Sequence, residues 1–187
     1  MIMKKILLYG LSEPDADLYQ TAAVGFDIAM YIINDSCMGR KVGELFELND
    51  DLDSMHAAVD GEYMLMDGID SETLLKLLKA FEDTGRPYEG SVAVRTRVNE
   101  NWTLARLLEE IRKEQELIDK LHELDDLLQD CNGIDLSAME LSDSNDLKQA
   151  LLEGYLLLKD EEQDIQEVDK AISRLRKAME PAVKIVH

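Results

Sequence analysis

Short aliphatic runs alternate with amphipathic segments along the first half of the chain. Four such runs, bounded by glycine, asparagine or aspartate, predict β-strands at 2–9, 28–33, 62–66 and 91–96. The run 28–33 is apolar throughout, which is typical of a strand covered by helices on both faces. Between the strands of each half lies a helical pattern, most clearly the leucine-rich stretch that ends at Gly85. The pattern therefore predicts two successive units, each with the order strand, helix, strand, helix.

The two halves of this region also resemble each other in sequence. The segment Lys5–Ser12 returns 58 residues later as Tyr63–Asp70, and Val42–Phe46 returns 62 residues later as Leu104–Leu108. An insertion of four residues, near Gly85, reconciles the two offsets. An echo of this kind indicates a duplicated supersecondary unit.

The predicted fold class is α/β, because two βαβα repeats side by side form a small, mostly parallel four-stranded sheet with right-handed connections. The predicted domain of 1–114 consists of repeats at about 1–48 and 62–114, joined by an acidic linker at 49–61.

The pattern changes after Trp102, where a long helical period replaces the strand signals. A helix that starts near 102 is predicted to run on to a stop at Asn132 and Gly133, and a second helix keeps the same heptad spacing up to Pro181. The segment 115–187 is therefore predicted to be a long antiparallel helical hairpin. Its predicted interaction positions are Leu117, Leu121, Leu124, Leu128, Leu151, Leu158, Ile165, Val168, Ile172 and Leu175.

The apolar surface of these helices is wider than a two-helix seam requires. Leu127, Leu152, Tyr155, Leu156 and Leu157 lie beside the heptad positions and need a cover. That cover is either the sheet domain or a second subunit. We favour a homodimer that forms a four-helix bundle, with another helical protein as the alternative partner.

Charge and composition narrow the classes of partner and compartment. The 187 residues hold 40 acidic and 20 basic side chains, giving a net charge of −20. Such a chain should be repelled by nucleic acid and by anionic membrane surfaces, so neither is an expected partner. The apolar runs are too short to span a membrane. With two distant cysteines and no signal-peptide pattern at the start, we expect a cytoplasmic protein.

Polar side chains follow each predicted strand. In parallel sheets ligands bind beyond the carboxyl ends of the strands, and such a rim could hold a ligand or a divalent cation. The candidate rim residues are Asp35, Ser36, Cys37, Asp67, Thr96, Asn99 and Asn101. The same residue types are those that turns and helix caps require, so the structural interpretation is favoured.

The sequence contains no recognisable catalytic or ligand-binding motif. Cys37 precedes a predicted helix, which could activate its thiol, but only His56 is near in sequence and no spacing supports the pair. An inert, buried Cys37 is favoured. The histidines match no metal motif, the acidic stretch from Asn49 to Asp53 fails the EF-hand pattern, and no glycine-rich phosphate loop occurs. No catalytic residue, cofactor or metal is therefore predicted.

The segment from Glu62 to Glu114 resembles an uncharacterised bacterial family catalogued only as a domain of unknown function. The resemblance rests on the strand that ends at Met66, Asp67 and Gly68, and on the strand end followed by Asn99, Asn101 and Trp102. Arg95 stands where that family's pattern has an aliphatic residue. The resemblance implies a compact α/β domain and brings no assigned site residue.

Three functional hypotheses follow. The leading one is a non-catalytic interaction or scaffold protein that self-associates through its C-terminal helices. The second is a small enzyme or ligand-binding domain that uses the polar rim. The third is an acidic inhibitor of a basic partner.

Overall fold

The computed structural model describes residues 4–52 and 59–185. The chain divides into two compact units, which we call the sheet unit (up to Ile111) and the helical unit (from Arg112). In chain order the elements are β1 (Lys4–Tyr9), α1 (Glu13–Ala23), β2 (Ile28–Ile32), α2 (Val42–Leu45), β3 (Tyr63–Asp67), α3 (Ser71–Asp83), β4 (Ser91–Val94), α4 (Leu104–Asp130), α5 (Leu141–Leu158) and α6 (Ile165–Ile185).

The sheet unit contains a four-stranded mixed sheet in the order β2-β1-β3-β4, which confirms the α/β fold class. Each repeat contributes one parallel pair, β1 with β2 and β3 with β4. The central pair, β1 with β3, is antiparallel, with Lys5 opposite Asp67 and Tyr9 opposite Tyr63. The sheet is thus parallel within each repeat and antiparallel between them. As a result, the carboxyl ends of β1 and β2 lie at the opposite end of the sheet from those of β3 and β4.

Alternation along the strands divides the core of the sheet unit into two layers. Ile6, Leu8, Met64 and Met66 face one layer, which includes the buried side chains of α1 and α3. The alternate residues face the other layer, with the buried side chains of α2 and the start of α4. Both faces of the sheet are covered, as the apolar strand sequences predict.

The predicted acidic linker at 49–61 is partly a structural element. Asp51 accepts a hydrogen bond from the backbone N–H of Ile32 (2.8 Å), and the N–H of Leu52 donates to the carbonyl of Ile32 (3.0 Å). Residues 51–52 therefore cover the outer edge of β2. His56, also in this stretch, lies outside the described residues.

The helical unit differs from the predicted two-helix hairpin. The second helix of that hairpin is divided in two: α5 ends at Leu158, a turn follows, and α6 begins at Ile165. The turn uses polar residues that compete for backbone hydrogen bonds, since Asp160 and Asp164 accept from N–H groups two residues ahead. The heptad spacing continues across this break, which is why the sequence predicts one helix where the structure has two.

Candidate functional site

The structure divides the predicted polar rim into two groups. Asp35, Ser36 and Cys37 follow β2, whereas Asp67 ends β3 and the group from Thr96 to Asn101 follows β4. Since the two repeats run antiparallel to each other, these groups lie at opposite ends of the sheet. The predicted single rim is therefore not formed.

The group after β2 has structural partners. The Tyr9 hydroxyl donates to the Asp35 carboxylate at 2.5 Å, and it accepts from the backbone N–H of Val59 at 3.2 Å. The Asn34 side chain accepts hydrogen bonds from both the N–H and the hydroxyl of Ser36, at 2.9 and 2.6 Å. These contacts build a turn at the end of β2.

Cys37 is fully buried in the core layer on the α2 side of the sheet. A nucleophilic thiol needs access to its substrate and a base to activate it. The closed surroundings of Cys37 supply no access, so the structure gives the thiol a packing role.

The group after β4 is a closed hydrogen-bonded turn. Asn99 Oδ1 accepts from the N–H of Thr96 at 2.7 Å, and Thr96 Oγ1 accepts from the N–H of Asn99 at 3.1 Å. Asn99 Nδ2 also donates to the Val94 carbonyl at 2.9 Å. Asn101 ends the same turn and is exposed. The polar atoms of Asn99 thus shape the backbone after β4.

Arg95 follows β4 and binds two carboxylates. Its guanidinium lies 3.0 Å from Asp67 and 3.2 Å from Glu100, and it stacks over the ring of Phe46 at 5.8 Å. Arg95 therefore joins the ends of β3 and β4 to the segment that follows α2. Because the strand ends at Val94, a charged residue at position 95 fits the fold, where the resembled family has an aliphatic one.

Sequence reasoning missed a second arginine cluster in the sheet unit. Arg86 binds Asp15 at 2.8 Å and Glu62 at 2.6 Å, and its guanidinium stacks over the ring of Tyr19 at 5.2 Å. The hydrogen bond that Arg86 donates to the Glu62 carboxylate raises the pKa of Arg86, and burial raises the pKa of the neighbouring Tyr88 hydroxyl. No sequence spacing connects residues so far apart, so no local signal could reveal this cluster.

The ion pairs of Arg86 connect α1 to the residue before β3, so the cluster has a structural role. A surface cavity of about 360 Å³ borders it, lined by Glu62, Gly85, Arg86, Pro87, Glu89 and Gly90. The charge of Arg86 is already compensated by two carboxylates, Asp15 and Glu62, so the arginine offers no unpaired positive charge to a ligand. A cavity of about 410 Å³ in the helical unit is lined by charges of both signs, among them Asp143, Asp146, Arg174 and Lys177.

Metal-ligating side chains do not gather in the described part of the chain. Over residues 4–52 and 59–185, no group of three or more His, Cys, Asp or Glu side chains could hold a metal ion.

The predicted interaction leucines lie inside the helical unit. Leu124, Leu128, Val168, Ile172 and Leu175 are buried against one another in its core. The other predicted positions are half-buried, namely Leu117, Leu121, Leu151, Leu158 and Ile165. Three helices in one chain, α4, α5 and α6, therefore bury the heptad seam.

Helix α5 carries a second apolar surface that faces away from this core. Leu152 and Leu156 are 59% and 61% exposed, and Tyr155 between them is also exposed. On the opposite side of the helix, Ala150 and Gly154 are buried. The exposed residues continue at helical spacing into a lysine at each end. We call this surface the α5 stripe; its residues are Lys148, Leu152, Tyr155, Leu156 and Lys159.

The α5 stripe contains no acidic residue, which is unusual in a chain with so many acids. With 40 acidic residues in the sequence, an exposed helix face without an acid stands out. The acids of α5, Asp143, Asp146 and Glu153, lie on other faces of the helix, because they stand out of step with the stripe by one or two residues. An exposed apolar patch that is rimmed by polar residues is typical of an interaction surface.

Comparison with known proteins adds a family match over part of the chain. Within this α/β fold, residues 62–118 match the model of a family described as a domain of unknown function, DUF3783. The matched segment contains β3, α3, β4 and the first half of α4. No curated protein and no solved structure matches the chain. Among the described residues, no helix has the length and apolar character needed to cross a membrane.

Proposed function

We propose that this chain is a non-catalytic protein–protein interaction protein that self-associates through its C-terminal helices. The α5 stripe is the observation that carries the proposal. A helix that is apolar on both its core side and its outer side is typical of one that packs between two neighbours. The heptad positions are used within the monomer, so the contact surface is the outer face of α5 and not the seam.

An antiparallel pairing of two α5 helices fits the sequence of the stripe. When Leu152 faces Leu156 of the partner subunit, the midpoint lies at Gly154, and Lys148 stands opposite Asp160 of the partner subunit. The symmetry of the pair repeats each contact, so the interface has an apolar centre with an ion pair at each end. Both Lys148 and Asp160 are exposed.

We also place the protein in a bacterial cytoplasm. The two cysteines, Cys37 and Cys131, are free and buried, which suits a reducing compartment. The resemblance of the segment after Glu62 to a bacterial family supports the bacterial part of this proposal.

The test is sedimentation velocity on the full chain. At about 10 µM we expect a particle with about twice the chain mass of 21.2 kDa, since mass action favours a dimer above its dissociation constant. The double variant Leu152→Glu, Leu156→Glu should sediment as a monomer. Val24→Glu, which places an acid at an exposed apolar residue of the sheet unit, is the matched control and should leave the mass unchanged. A wild-type chain that stays monomeric at ten times this concentration contradicts the proposal.

The other two hypotheses are less well supported. An enzyme at the polar rim requires residues that lie at opposite ends of the sheet. An acidic inhibitor of a basic partner stays a prediction, and steeply salt-dependent binding to that partner would be its signature.

A further inference from the structure

The two outer edges of the sheet, at β2 and at β4, differ in their hydrogen bonding. The edge of β2 is covered, because Gln20 Nε2 donates to the Met30 carbonyl at 3.2 Å while Asp51 and Leu52 bind the backbone of Ile32. Covering an edge in this way prevents further strands from pairing with it. Among the described residues of the sheet unit, none covers the edge of β4 in this way.

The backbone of β4 offers free hydrogen-bonding groups at this edge. The N–H groups of Ser91 and Arg95 donate to the carbonyls of Glu62 and Met66 next to β3. By alternation, the N–H and C=O groups of Val92 and Val94 point outward. Within the described residues, one of these outward groups has a protein partner, the Val94 carbonyl, which accepts from Asn99.

The side chains of β4 add an apolar surface to the open edge. Val92 and Val94 are 39% and 49% exposed, and the strand itself carries no charge. Natural sheets usually place a charge, a proline or a bulge at an exposed edge to prevent pairing. β4 has none of the three among its four residues.

Charges at the two ends of β4 identify what fits this edge. Glu89 precedes the strand and Arg97 follows it; both are exposed, and neither forms an ion pair among the described residues. Glu89 lies three positions before Val92, and Arg97 lies three positions after Val94. A strand that pairs antiparallel with β4 places its own acid beside Arg97 and its own base beside Glu89 if it has an acid, two apolar residues and a base at the spacing of β4. β4 itself has that sequence.

We propose that β4 of one copy pairs antiparallel with β4 of a second copy, joining two four-stranded sheets into one continuous sheet. In this register Val92 faces Val94 of the partner subunit, and the two residues exchange N–H···O=C hydrogen bonds. Each Glu89 then lies beside Arg97 of the partner subunit. The carbonyl of Val94 has a second lone pair and can keep its bond from Asn99.

This pairing is a different contact from the α5 dimer and does not depend on it. Both contacts are symmetric and use separate surfaces. A chain with two such contacts closes into a tetramer when the two symmetry axes cross at right angles, and otherwise grows into an open assembly. Since a strand of four residues makes a small interface, β4 pairing should be weak and visible only at high concentration.

The experiment is a charge swap in the full-length chain carrying Leu152→Glu and Leu156→Glu, which removes the α5 contact. Sedimentation equilibrium at about 500 µM should then show a monomer–dimer equilibrium. Glu89→Arg alone, or Arg97→Glu alone, places like charges opposite each other twice and should weaken the dimer about tenfold. The double swap, Glu89→Arg with Arg97→Glu, should restore the dissociation constant to within about twofold of the background.

Two further variants keep the test independent of net charge and of folding. At about 150 mM NaCl, where long-range repulsion is screened, Asp17→Arg at an exposed site on α1 makes the same charge change as Glu89→Arg and should leave the equilibrium unchanged. Val92→Pro removes an outward N–H without removing a bond to β3 and should abolish the dimer. Its far-ultraviolet circular dichroism and thermal midpoint show whether the fold is kept.

The outcomes separate the two proposals. Single swaps without effect, or a double swap as weak as the singles, overturn β4 pairing whatever α5 does. If the α5 proposal is the one that fails, the wild type and the Leu152→Glu, Leu156→Glu variant have the same mass at about 10 µM, while the charge-swap pattern at high concentration persists.

Discussion

Gly10 and Gly68 occupy equivalent places in the two repeats, each directly after the first strand of its repeat. Both have left-handed backbone conformations, with φ of +83° and +70°. A Cβ atom at Gly10 would lie 2.1 Å from the carbonyl oxygen of Gly61. Gly10 therefore permits both the turn and the close approach of the chain that enters β3.

We predict that Gly10→Ala destabilises the protein more than Gly85→Ala does, because Gly85 has a similar φ of +87° and nothing within 4 Å of its Cβ position. The left-handed conformation alone should cost about 1 kcal/mol of unfolding free energy in each variant. The backbone clash at Gly10 should raise the loss there to about 3 kcal/mol. Urea denaturation followed by circular dichroism measures both values.

Gly25→Ala is the control for this pair, since nothing lies within 4 Å of its Cβ position and its φ is not positive. Its effect should be close to zero. Equal losses for Gly10→Ala and Gly85→Ala would show that the chain near Gly61 moves aside.

The contacts of polar residues could be predicted from the sequence where they are local, and could not where they join distant parts of the chain. The preference for turn and cap roles over ligand roles agrees with the contacts of Ser36, Thr96 and Asn99, because those residue types bind nearby backbone. The Arg86 cluster could not be predicted, since its partners lie in α1 and at the start of β3, far away in sequence. Local bonds leave a local signal, and long-range ion pairs leave none.

At the scale of elements, the contact between α4 and α5 depends on a glycine that the heptad pattern treats as an ordinary core position. A Cβ atom at Gly154 would lie 3.0 Å from Cδ2 of Leu128 and 3.5 Å from Cδ1 of Leu124. The absence of a side chain at position 154 lets the two helices approach closely.

We predict that Gly154→Leu destabilises the helical unit by about 2 kcal/mol, because the added side chain overpacks a closed contact. Leu128→Ala should cost about 3 kcal/mol by leaving a cavity. The double variant should lose less than the sum of the two, since the new leucine fills the space left by Leu128. Thermal and urea unfolding of the three variants measure this coupling.

Additive losses would contradict the close contact between positions 128 and 154. Leu141→Ala, at an exposed residue at the start of α5, is the matched control and should change the stability little.

The elements themselves follow from local pattern, and their pairing does not. All four strands and the helices between them were predictable from aliphatic runs and caps, such as Asp70 binding the N–H of Thr73 at 2.8 Å. The antiparallel pairing of β1 with β3 could not be predicted, because the sequence of an apolar strand does not indicate the direction in which it pairs. The break between α5 and α6 was hidden by a heptad spacing that persists through the turn at 159–164.

At the scale of the whole molecule, the net charge of −20 opposes any contact between two copies. The α5 pairing supplies two ion pairs between Lys148 and Asp160, and exposed pairs of this kind contribute about 1 kcal/mol or less each. Salt weakens both the repulsion between the two net charges and the attraction within the ion pairs, but the repulsion acts over longer distances. The Debye length falls from about 30 Å at 0.01 M to about 8 Å at 0.15 M, which removes the long-range repulsion first.

We therefore predict that self-association through α5 tightens as salt is added. The dissociation constant of the full chain should fall about tenfold between about 10 and 150 mM NaCl and then level off, because the long-range repulsion is by then screened and the apolar centre remains. Sedimentation velocity over a dilution series measures it. In Lys148→Glu, which replaces the end pairs by repulsion, the dissociation constant should keep falling above 150 mM, as added salt continues to screen short-range like charges. A wild-type dimer that weakens steadily with salt would show that ion pairs, and not the leucines of the α5 stripe, hold the two copies together.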